Sequence, residues 1–114
     1  MARMFPDKTL DKTTTEEIDV EQDFVDEVPT SDSIEAVGAN TTVTAVDSDG
    51  VAAPTVLGAI TLSGTKLKVR TKAGTHGQSY LVKYVAKMIT STELREKYLT
   101  LNVRNPVVTG LMIL

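Results

Sequence analysis

The sequence predicts an all-β fold, a small sandwich of about six or seven strands with an extended acidic arm before it and a short apolar tail after it. Three observations lead to that expectation. Residues 1–35 carry eleven acids against three bases, whereas residues 36–114 carry nine bases against four acids. The acidic part is poor in apolar residues and has no sustained periodicity, while the basic part is rich in Val, Ile, Leu, Thr and Tyr. In the basic part, apolar and polar residues alternate in short runs punctuated by Gly, the pattern of half-buried strands joined by turns.

The 114 residues make room for one domain. They divide into an acidic arm (1–30), a sandwich (31–106) and an apolar tail (107–114). A core that small buries only roughly 60% of its unfolded surface. There is no Cys to reinforce it, and one His leaves little for a metal site. Stability supplied by neighbouring subunits is therefore expected. The N-terminus lacks the apolar segment of a signal peptide, and no run reaches the roughly 18 apolar residues of a membrane span. Synthesis in the cytoplasm and no membrane contact are the corresponding expectations.

The elements follow in order. Residues 1–15, with Pro6 and scattered charge, read as extended or disordered until docked. In residues 16–28, Ile18 and Val20 fit a strand, whereas Phe24, Val25 and Val28 fit a helical turn. Neither template wins. Pro29 ends the element, which packs onto the domain or onto a neighbour. From Ser31 the period becomes two, and Ser33–Val37 alternates until Gly38. A Thr/Val-rich strand over 40–46 leads to the turn Asp47-Ser48-Asp49-Gly50. An apolar strand follows over 55–62, then a turn at 63–65.

Residues 66–72 alternate strictly, with Leu67, Val69 and Thr71 inward and Lys66, Lys68, Arg70 and Lys72 outward. A Gly-flanked loop over 73–79 opens the longest strand, 80–89. Its inward face is Tyr80, Val82, Tyr84, Ala86 and Met88. The last strand, 97–104, turns Leu99, Leu101 and Val103 inward. Strands at spacings near ten residues are the pattern of an immunoglobulin-like sandwich, here without its Cys pair or core Trp.

Catalytic chemistry finds no support. His76 sits between Gly74 and Gly77 with no Cys partner and no orienting group, and nothing fixes any pair of arm carboxylates at a defined separation. Asp47-Ser48-Asp49-Gly50 resembles the first half of a calcium loop, but the ligands of the second half are missing. No enzyme activity, cofactor or metal is expected. The cationic row Lys66, Lys68, Arg70, Lys72 fits a solvated face or docking to an acidic protein surface, such as a neighbour's arm. Without interleaved aromatics, nucleic-acid binding is not expected. The tail, Val107 to Leu114, has no charged side chain and six large apolar ones. It folds back on its own core or inserts against another subunit. The candidate partner-binding residues are Phe5, Ile18, Val20, Phe24, the four cations, and Leu111, Met112, Ile113 and Leu114.

Three motifs carry a resemblance. They are Gly74-Thr75-His76-Gly77-Gln78-Ser79-Tyr80, then Met88-Ile89-Thr90-Ser91-Thr92, then Leu99-Thr100-Leu101-Asn102-Val103-Arg104. Upstream of them, Ile18-Asp19-Val20 to Phe24 and Asp32-Ser33-Ile34 fit the same pattern. Over residues 5–105 the chain resembles the fiber–tail adaptor proteins, small virion proteins of tailed bacteriophages. The resemblance implies a structural virion component in a ring or collar of a tail or neck. Its partners would be other virion proteins and copies of itself. A capsid decoration or head-completion protein and a carbohydrate- or cell-surface-binding module are the alternatives.

Overall fold

The computed structural model describes residues 8–106, 108, 109, 112 and 113. Seven strands form two sheets: β1 Lys8–Lys12, β2 Ile18–Asp23, β3 Thr42–Asp47, β4 Leu57–Ser63, β5 Lys66–Thr71, β6 Ser79–Lys87 and β7 Leu94–Val103. One sheet has the order β1-β7-β6-β3 and the other the order β2-β5-β4. All contacts between neighbouring strands are antiparallel except β1 with β7, which is parallel. The chain is thus an all-β sandwich, as the alternating pattern predicts.

The periodicity reads through to the core. Leu67, Val69 and Thr71 of β5 are fully buried, as are Val82, Tyr84 and Ala86 of β6 and Leu99, Leu101 and Val103 of β7. Each set occupies alternate positions, so each strand commits one face to the interior. Tyr84 is the largest of these side chains, and burial pushes its phenol pKa up.

The acidic segment departs from expectation. Residues 8–23 are not an arm but two strands, one at the edge of each sheet. β1 lies beside β7 in the register Lys8↔Leu99 to Lys12↔Val103, and β2 lies beside β5 from Ile18↔Thr71 to Asp23↔Lys66. β2 alternates Ile18, Val20 and Gln22 inward with Asp19, Glu21 and Asp23 outward. Gln22 is 2% exposed and its Nε2 donates to the Tyr98 carbonyl, 3.1 Å away on the opposite sheet. The Tyr84 hydroxyl crosses the other way and donates to the Val20 carbonyl at 3.0 Å. The segment is polar in composition because one face of each strand is solvent-facing, and the few apolar residues on the other face suffice for docking. Among the described residues the sandwich therefore includes residues 8–23, well ahead of 31.

Residues 33–37, read as alternating, form no strand. Ile34 makes a single bridge with Met88, and Val37 one with Thr41. This stretch is held instead by Asp32. Its Oδ1 accepts the N–H groups of Ser33 (2.8 Å) and Thr90 (2.9 Å), and Oδ2 accepts that of Ser91 (3.0 Å). These bonds, the one from Thr90 foremost, lower the carboxyl pKa from 3.8 to about 2. A carboxyl whose folded pKa lies below its unfolded value contributes stability in full above the unfolded value, and loses it as pH falls through the folded one. Stability is therefore expected to decline from about pH 4 toward pH 2, and Asp32→Asn to flatten that limb. Urea midpoints across this range check it.

Candidate assembly surface

The cationic row is where the structure and the expectation divide most clearly. Lys66, Lys68 and Arg70 do project from the outer face of β5, but the acids of β2 lie beside them in the same sheet. Arg70 Nε donates to Asp19 Oδ1 at 2.8 Å, and its Nη2 donates to Oδ2 at 3.2 Å. Glu17 lies 3.8 Å from Arg70, Lys68 lies 4.0 Å from Asp19, and Lys66 lies 3.9 Å from Glu21. The hydrogen bond from Arg70 holds the Asp19 carboxyl below its usual pKa, and Asp19 raises that of Arg70. The acidic surface anticipated for this row is thus the chain's own β2. Exposed pairs of this kind set register more than they add stability. Lys72 lies just beyond β5, where its backbone N–H donates to the Val56 carbonyl.

The apolar candidates of the acidic segment are core residues. Phe24 is 0% exposed, and Val20 packs partly buried against the same cluster. The Lys97 ammonium lies 5.6 Å from the Phe24 ring centroid and 2.8 Å from Glu27. Ile18 is half-buried on the inner side of β2. Phe24 is wholly taken up by the core, while Ile18 and Val20 keep part of their surface exposed. Phe5, Leu111 and Leu114 lie outside the described residues. Met112 and Ile113 form a short strand, β9 (Met112–Ile113), paired antiparallel with β8 (Val108–Thr109). This pair joins neither of the two sheets.

The Gly-x-x-Gly-x-x-Tyr loop is structural. The Tyr80 hydroxyl accepts the Thr75 N–H at 2.9 Å, folding the loop back on itself as in a tyrosine corner. Lys12, 3% exposed, donates to the Ala73 carbonyl at 2.6 Å, and burial lowers its pKa. His76 Nδ1 accepts the Asn105 N–H at 2.8 Å and fixes where the chain leaves β7. Asp47 Oδ1 accepts the N–H groups of Asp49 and Val51, making a side-chain-closed turn. Among the described residues no group of His, Asp and Glu is placed to hold a metal ion.

One surface escaped the sequence reading. The sixteen residues Gly50 to Thr65 carry no charge, and they include the whole of β4, an edge strand. The other edges are marked by charge: β1 by Lys8, Asp11 and Lys12, β2 by Asp19, Glu21 and Asp23, and β3 by Asp47 at its end. Between β3 and β4 lies an apolar groove of about 320 Å³, lined by Val43, Ala45, Ala52, Pro54, Leu57 and Ile60. Charge on edge strands is a common defence against pairing with other chains, and β4 lacks it. The signal in the sequence is the length of the charge-free run, visible only once β4 is known to be an edge.

Compared with known protein families, curated proteins and solved structures, the chain matches none.

Proposed function

We propose that this chain is a structural bacteriophage virion protein, a tail or neck adaptor or collar component that connects tail to fibers through contacts between subunits. The observation that carries the assembly reading is the uncharged open side of the sandwich, in a chain that ends in apolar strands joined to neither sheet. An exposed apolar edge is a liability in an isolated protein and an interface in an assembled one. The phage assignment draws on the resemblance of the Gly74–Tyr80 loop and the strands after it. The strand orders β3-β6-β7 and β2-β5-β4, with β1 added parallel to β7, support reading the sandwich as immunoglobulin-like.

Mass spectrometry and antibody labelling of purified virions from cells that express the chain test the proposal. The adaptor reading expects a fixed, low copy number at one site on the tail or neck. Labelling over the whole shell would favour a decoration protein, and absence from virions would overturn the reading.

A further inference from the structure

We propose that the apolar C-terminal segment of one copy adds as a strand to the open β4 edge of a second copy, covering the groove between β3 and β4. The acceptor follows from ladder parity. The Phe24 N–H donates to the Thr65 carbonyl, which faces β2. Backbone direction alternates along a strand, so Lys66 and Lys68 of β5 turn toward β4 and pair with Ser63 and Thr61. Ile60 and Leu62 therefore point their N–H and C=O groups at the open edge, while their half-buried side chains line the apolar side. On β3, by contrast, the Ala45 carbonyl and the Asp47 N–H are already bonded to Ala53 and Val51.

The occupant follows from charge, length and the chain's exit. Residues 107–114 have no charged side chain, so β4 is the edge their side chains cover without stripping water from an ion. Eight extended residues span about 26 Å, enough for the seven of β4, about 23 Å. The β8–β9 pairing that must open is a two-stranded one, marginal in water. The chain leaves β7 beside β1, where the Arg104 N–H binds the Lys12 carbonyl and the Asn105 N–H binds His76. From that exit, reaching the groove within the same molecule means crossing β6 and β3 at about 4.8 Å per strand, which leaves less of the roughly 26 Å than the roughly 23 Å that pairing along β4 takes, so the segment is given to another molecule. Donor and acceptor are different surfaces. The contact is head-to-tail, and copies close into a ring or grow as a filament. It does not depend on the assembly being a virion.

The test uses full-length chains in sedimentation velocity. Leu111→Asp with Ile113→Asp disables the donor. Ile60→Lys disables the acceptor, because its ammonium escapes to water only while the groove is uncovered. Wild type is expected to assemble beyond the dimer, each variant alone to be monomeric, and their equimolar mixture to stop at a heterodimer. A monomeric wild type, a donor variant that assembles like wild type, or a mixture of folded variants that stays monomeric overturns the proposal. Should Ile60→Lys fail to fold, amide exchange decides. Ile60 and Leu62 should be protected in wild type and exchange at least tenfold faster in the donor variant, and equal rates overturn the proposal.

Discussion

A chain beginning at residue 24 is expected not to fold. The deletion removes β1 and β2, one edge from each sheet, with five and six residue pairs respectively. It uncovers the flank of β5 and the core beneath Leu10 and Val20. It also removes the two bonds that tie β2 to the opposite sheet, Gln22 to Tyr98 and Tyr84 to Val20, and the Lys12 bond that holds Ala73. Each net hydrogen bond is worth about 1 kcal/mol, and each buried aliphatic side chain about 1.5–3 kcal/mol. Against a total of roughly 5–15 kcal/mol for a domain, losses on this scale leave no stable fold. Far-ultraviolet circular dichroism and amide dispersion in NMR spectra check it. A fragment from residue 24 with a native-like spectrum would refute the integral role of these strands.

Gly74→Ala is the single substitution expected to cost most for its size. Gly74 has φ +96°, in the left-handed region, and a Cβ there would lie 2.7 Å from Val103 Cγ2 and 3.4 Å from the Tyr80 ring. Backbone strain contributes about 1–2 kcal/mol and overpacking against a fully buried Val103 about 1–3 kcal/mol. Neither neighbour can yield easily. Tyr80 is fixed through its hydroxyl to Thr75, and Val103 is the last residue of β7, with its N–H bonded to the Gln78 carbonyl. Gly77→Ala is a useful comparison, because φ is also positive (+87°) but a Cβ would meet nothing within 4 Å. Thermal melts should separate the two, with Gly74→Ala lower than Gly77→Ala by the packing contribution.

The strands that present a full alternating face were legible in the sequence. Leu67-x-Val69-x-Thr71, Tyr80 to Met88 and Leu99-x-Leu101-x-Val103 are all buried where a period of two puts them. The acidic segment was not legible, for a physical reason. Ile18 and Val20 give too short an alternation to overcome a composition typical of disordered chains, and Gln22 conceals a third inward position behind a polar side chain. The partner of the cationic row was hidden by the same misreading. Once β2 is a strand, Asp19 and Glu21 fall opposite Arg70 and Lys68 in register, and the charge split between the two parts of the sequence becomes a cross-strand match. Ser33–Val37 erred in the opposite direction: alternation without a neighbouring strand left only isolated bridges. The open β4 edge depends on strand order, which no local pattern encodes.

Amide hydrogen exchange of the full chain, read residue by residue, is the most direct measurement of whether the acidic segment belongs to the sandwich. The parallel pairing of β1 and the cross-sheet bonds of β2 predict that residues 10, 12, 20 and 22 exchange about as slowly as the central strand β6, through global unfolding. Exchange of those amides at the rate of an open chain, with β6 still protected, would contradict it.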